Sequence, residues 1–125
     1  MEPALLEPTL YTASGALLGG RCACGHVFFP MQTHGCEACG RHGADLQPLT
    51  LAGRGRLLSS TVVRFHADSA RIAPFTIGKI ALDEGPVVRA LLVDPDREIR
   101  PGARMVSRMV SVGDSAVDLR FAPES

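Results

Sequence analysis

Residues 21–42 read RCACGHVFFPMQTHGCEACGRH and hold all four cysteines of the chain as two close pairs, Cys22-Ala23-Cys24-Gly25 and Cys36-Glu37-Ala38-Cys39-Gly40. Four thiolates on two turns suit a tetrahedral zinc ion, and the Gly after each second Cys permits the tight turn that aims backbone amides at sulfur. Cys22, Cys24, Cys36 and Cys39 are therefore the expected ligands of a structural Zn2+. Two redox disulfides, or four ordinary buried cysteines, are the competing readings, and the spacing in a chain with no other Cys disfavours them. The first pair has one intervening residue where two are usual. Should Cys22 or Cys24 fall short of the ion, His26 or His34 would complete the site as an imidazole ligand.

A site of four thiolates is saturated and offers no open position for catalysis, so the expected task of the metal is to fold this segment. Zinc contributes about 10–16 kcal/mol in small finger peptides, and chelation is expected to unfold residues 21–42. Between the pairs, Val27, Phe28, Phe29 and Pro30 mark a short β excursion.

Upstream, MEPALLEPTLYTASGALLGG (residues 1–20) carries two Pro and three Gly, which excludes a long helix. An extended arm or a short hairpin packed on the rest of the chain is expected there. Downstream, Ala44 to Pro48 reads as a linker, and the pattern then turns to strands. Gly53 to His66 places Leu57, Ser59, Thr61, Val63 and Phe65 in alternation with Leu58, Ser60, Val62, Arg64 and His66, a long strand of period two.

A loop from Ala67 to Pro74 leads to a second strand, Phe75 to Leu82. Asp83-Glu84-Gly85-Pro86 then turns the chain into a third, Val87 to Val93. After a loop bracketed by Asp94-Pro95-Asp96 and Arg100-Pro101-Gly102 comes a fourth strand, Ala103 to Val112. A fifth follows Gly113-Asp114, with Val117, Leu119 and Phe121 facing inward. Five short antiparallel strands, the first long and able to bend at Gly53 and Gly55, fit the partly open OB barrel. The expected fold is mainly β: a zinc ribbon followed by a five-stranded OB-fold, divided as arm 1–20, ribbon 21–47 and barrel 48–125.

At 125 residues there is room for one real core. Thirteen acidic and thirteen basic side chains cancel, which removes the long-range attraction on which nucleic-acid and anionic-membrane binders rely. The apolar runs Gly15–Leu18 and Val87–Val93 are too short to span a bilayer, and no secretory leader opens the sequence, so a cytoplasmic protein is expected.

Ser59, Ser60 and Thr61 with His66 and Asp68 contain the letters of a catalytic triad, but they lie in an alternating strand without a nucleophile elbow. Gly19-Gly20 and Gly53-Arg54-Gly55 lack the spacing and following helix of a phosphate loop. Asp83 and Glu84 read as a solvated hairpin tip and Met105 and Met109 as core residues. Arg104 and Arg108 read as a solvated face, with an interface or phosphate contact as the alternative. No catalytic residue is assigned.

The segments GRCACGHVFFP, GCEACG, LAGRGRLLSSTVVRF and PFTIGKIALDEGPVVRALL resemble the DUF35 family, in which a rubredoxin-like zinc ribbon precedes an OB-fold. The resemblance covers about residues 15–122. The chain departs from the pattern in its shortened first knuckle and in lacking the helical N-terminal extension of many members. The resemblance implies a non-catalytic subunit that joins a thiolase-like enzyme, including lipid-transfer-protein-like thiolases and retro-aldolases of steroid side-chain degradation, or a MaoC-like enoyl-CoA hydratase. Such a subunit would organise the hetero-oligomer, help cover the acyl-CoA site and contact acyl-CoA at the partner interface. The alternative is a single-stranded nucleic-acid-binding module, which neutral charge and scarce aromatics disfavour.

Overall fold

The structure is a computed structural model and describes residues 6, 8–64, 74–94, 99–113 and 116–124. After a 3-10 turn at Pro8–Leu10, eight strands follow: β1 (Leu17–Cys22), β2 (Val27–Phe28), β3 (Leu46–Leu51), β4 (Arg54–Val63), β5 (Phe75–Leu82), β6 (Val87–Leu91), β7 (Arg104–Gly113) and β8 (Ala116–Pro123). They form a three-stranded sheet in the order β2-β1-β3 and a five-stranded sheet in the order β6-β5-β4-β7-β8, all neighbours antiparallel.

The five-stranded sheet curls until its ends meet. Leu92, just beyond β6, forms a parallel bridge with Phe121 of β8, and the Val93 N–H donates to the Phe121 carbonyl at 2.9 Å. This is the mainly β barrel expected of the second half of the chain. Its core holds Leu57, Ile80, Leu82, Val88, Ala90, Leu92, Met105, Leu119 and Phe121, all buried, with Met109 packed against them. Burial on this scale is the main favourable term in folding, at about 25 cal/mol per Å² of apolar surface. The two methionines thus serve the core. Gly55 is required where β4 crosses β5, since a Cβ there would collide with the Ala81 carbonyl.

The smaller sheet is not a separate body. Leu17 and Leu51 belong to the same core, and Val27, Phe29 and Leu49 pack against it. The N-terminal segment forms the short hairpin expected as one option. Tyr11 bridges to Leu17, and the Thr12 N–H donates to the Ala16 carbonyl. It docks on the barrel through Ser107 Oγ, which donates to the Gly15 carbonyl at 2.6 Å, and through the buried Tyr11.

Three expectations are corrected. Ala44 to Pro48 is not a linker: Gly43–Asp45 is a 3-10 turn, and β3 begins at Leu46 and passes through Pro48. Pro48 is tolerated because β3 is an edge strand, where one side of the backbone needs no donor. The uniform alternation read across Gly53–His66 fails at Leu58. Leu57 pairs with Ile80 and Ser59 with Lys79, so Leu58 is the extra residue of a β-bulge. Beyond it Ser60 and Val62 turn inward, while Ser59 and Thr61 turn outward with Leu58. Val117, expected inward, is 61% exposed because the β7–β8 hairpin outruns its pairing with β4, which ends at Val106.

The readings placed on Phe65, His66, Asp68, residues 67–73, 95–96 and Asp114 lie outside the described residues. Among the described residues no helix is long and apolar enough to cross a membrane.

Candidate metal centre

Two turns bring the four cysteines together. In the first, the Cys22 N–H donates to the His26 carbonyl and the Gly25 N–H to the Cys22 carbonyl, both at 2.8 Å. In the second, the Cys36 N–H donates to the Arg41 carbonyl at 2.7 Å and the Gly40 N–H to the Cys36 carbonyl at 2.8 Å. Gly25 and Gly40 close these turns with φ of 99° and 82°, the left-handed region that a side chain would disfavour. The single residue between Cys22 and Cys24 does not keep either thiol away.

All four sulfur atoms lie within 4.8 Å of one another. Cys22 Sγ is 3.6 Å from Cys39 Sγ, and Cys24 Sγ is 3.7 Å from Cys36 Sγ. A tetrahedral ion bonded to sulfur at about 2.3 Å needs ligand atoms about 3.8 Å apart. The arrangement meets that spacing, and no pair is a disulfide. The four cysteines could hold a metal ion. Cys22 and Cys36 are buried, Cys24 and Cys39 exposed, so the cluster sits at the surface with one side against the protein.

The electrostatics around it fit a cation. The backbone N–H of Arg41 holds the Cys39 thiol down to about 7, against the pull of burial. At Cys36 burial acts upward, but the N–H groups of Ala38 and Cys39 and the adjacent thiols together bring it below its ordinary value. At Cys22 the Cys24 N–H acts downward, yet burial and three neighbouring thiols push it up to about 12.

Neither histidine joins the cluster. His26 Nε2 pairs with Glu37 Oε1 at 2.8 Å, and His34 is exposed, its backbone N–H donating to Gln32 Oε1. Beneath the thiols there is little else to hold the segment: Cys22, Phe28, Cys36 and Leu46 form the whole buried cluster, with Met31 against it.

The knuckles face the tip of the β5–β6 hairpin across a cleft of about 640 Å³, lined by His26, Phe29, Glu37, Glu84 and Val87. That tip is not simply solvated as expected. Glu84 Oε2 accepts from the Ala52 N–H at 2.9 Å, and Arg104 Nη1 and Nη2 donate to Asp83 Oδ1 and Oδ2 at 2.7 and 2.8 Å. The sequence carried no local signal for either contact, because each joins residues more than twenty positions apart.

Residues 50–110 match the family model described as the ChsH2 C-terminal OB-fold domain. A DUF35 domain-containing scaffold protein of Methanothermobacter thermautotrophicus is 38% identical over 99 residues, which cover 75% of this chain and 73% of that protein. A protein of the same description from Pyrococcus furiosus is 33% identical over 98 residues, covering 75% and 70%. Among solved structures, a chain of the Ltp2-ChsH2(DUF35) aldolase superposes with a TM-score of 0.71 at 25% identity, over 98% of each chain.

Proposed function

The chain belongs to the DUF35 family, and from that premise we propose that it is a non-catalytic accessory subunit, stabilised by one structural zinc ion, of a thiolase-like acyl-CoA enzyme. The observation that carries the reading is the end-to-end superposition on a chain of a structure named as an aldolase. The scaffold names of the curated relatives support it.

In this reading the partner performs the chemistry, a condensation or a retro-aldol cleavage of an acyl-CoA such as one from steroid side chains, in the cytoplasm. The chain assembles the hetero-oligomer and helps cover the acyl-CoA site. Cys22, Cys24, Cys36 and Cys39 hold the zinc, whose role is to order the knuckles; a site filled by four thiolates leaves the ion no position for substrate. We assign the arm to residues 1–20, the ribbon to 21–47 and the barrel to 48–125, with β1 crossing the first boundary and β3 the second. The cleft between ribbon and hairpin tip, with half-buried Phe29 and exposed Val87 on its walls, suits a protein contact.

The test is affinity capture of the tagged full-length chain from its own cell, with mass spectrometry of bound proteins and zinc analysis. Recovery of a thiolase-like protein with one zinc per chain supports the reading. Recovery of a MaoC-like hydratase would keep the accessory role and change the partner. Recovery of nucleic acid, or acyl-CoA turnover by the pure chain alone, would overturn it.

A further inference from the structure

The outer face of β4, β5 and β6 carries a row of side chains that the core and the metal centre do not use. Ser59 lies opposite Lys79, and Lys79 lies opposite Arg89, so one hydroxyl and two cations stand side by side across three strands. All three are exposed. Thr61 follows on the same face, and these residues line an open depression of about 590 Å³ whose other end is formed by Val63 and Ile77. Small-molecule sites span about 300–1,000 Å³ and combine apolar walls with a few convergent polar groups.

Two features set this row apart. Basic residues also stand opposite one another at Arg56–Arg104 and Arg108–Arg120, where Arg104 and Arg120 each have a carboxylate within 4.0 Å, whereas the side chains of Lys79 and Arg89 have no hydrogen bond or ion pair among the described residues. Like charges directly opposite on antiparallel strands destabilise a sheet, so the arrangement costs the fold something and returns nothing to it. An anion seated between the two cations would convert that repulsion into charge-assisted hydrogen bonds.

The second feature is the bulge. Continuing the alternation from inward-facing Leu57 would put Leu58 and Ser60 on this face, and the extra residue at Leu58 puts Ser59 and Thr61 there instead. Bulges commonly re-aim side chains beside functional sites.

We propose that this depression is a binding site for a small phosphate ester, its phosphoryl group held by Lys79 and Arg89 with the Ser59 and Thr61 hydroxyls and its less polar body lying on Val63 and Ile77. Among the described residues no aromatic side chain lines the depression, so these residues give stacked bases of a single strand no platform. The assignment stands apart from the partner proposed above.

The experiment is a titration of the full-length, zinc-loaded chain, followed by amide NMR at constant ionic strength, with butyl phosphate, inorganic phosphate and an oligothymidylate as separate probes. Butyl phosphate is expected to shift amides of β4, β5 and β6 and to bind more tightly than inorganic phosphate. Lys79→Gln and Arg89→Gln should each weaken it at least about tenfold, the scale of one charge-assisted hydrogen bond, and Ser59→Ala about threefold. Both charge variants should melt no lower than the parent, since each relieves the opposed charges, so lost binding would not reflect lost folding. No localised shift, or binding indifferent to both charge variants, would overturn the site. Equal binding of inorganic phosphate would overturn its ester character. Oligothymidylate binding in place of butyl phosphate would overturn the small-molecule assignment.

Discussion

Arg104 of β7 forks over Asp83 at the tip of the β5–β6 hairpin, with two parallel N–H···O contacts of 2.7 and 2.8 Å. The fork joins strands on either side of β4 and stands beside the junction of the two sheets.

The Arg104 hydrogen bonds hold the Asp83 carboxyl below its ordinary value. A carboxyl that is a stronger acid folded than unfolded stabilises the fold above its unfolded pKa, about 3.9, and loses that contribution as the pH falls through the lower folded value. Asp83→Asn should therefore melt below the parent at pH 7, and the gap should close below about pH 4. Thermal melts at pH 7 and pH 3 measure it; a gap constant across that range would deny Asp83 this role. Arg104→Lys should behave like Asp83→Asn, since a single ammonium cannot supply the fork.

If the four cysteines hold zinc as proposed, Cys24→Ser removes an exposed ligand without touching the core. Zinc affinity should fall by more than about 100-fold, beyond what loss of an outer-sphere partner costs. Competition with a chelating dye reads the affinity. Unchanged affinity would return a histidine to the ligand set. Chelation of the parent should speed amide exchange across residues 21–42 before it does so in β5.

Gly55→Ala drives a Cβ into the Ala81 carbonyl, which is backbone and cannot swing aside. A loss of about 3 kcal/mol is expected, the upper end of ordinary overpacking. Urea denaturation checks it, and a loss under about 1 kcal/mol would mean that β4 and β5 part easily at this crossing.

Phe121 is fully buried where β8 closes on the end of β6. Phe121→Ala should cost about 3–5 kcal/mol through lost burial and the cavity left behind. Because the bridge to Leu92 depends on the same residue, exchange at Val93 should accelerate more than at Leu82. Equal acceleration at both would show that closure is held elsewhere.

The features legible in the sequence share a local cause. The four-cysteine cluster follows from short spacings between like residues, and the expected β5 matches its observed limits because Phe75 to Leu82 is stopped by Pro74 before it and by the Asp83–Pro86 turn after it. The bulge at Leu58 was not legible, since Leu-Leu-Ser-Ser-Thr offers chemically similar residues in both phases and lets either face turn inward. Pro48 reads as a break in the sequence because a proline says where a hydrogen bond is missing, not whether a neighbour wanted it. The Arg104–Asp83 fork and the Glu84–Ala52 contact depend on tertiary proximity, which no local pattern encodes.

Only Ala52 and Gly53 separate β3 from β4, and both are fastened: the Ala52 N–H by Glu84 and the Gly53 carbonyl by the Ser107 N–H at 2.8 Å. The cysteine knuckles and the barrel are thus the two arms of one crank rather than beads on a string. A protein that grips one arm sets the bearing of the other without any hinge having to stiffen first, and the loss of orientational freedom that a tethered pair would suffer on docking has already been met in folding.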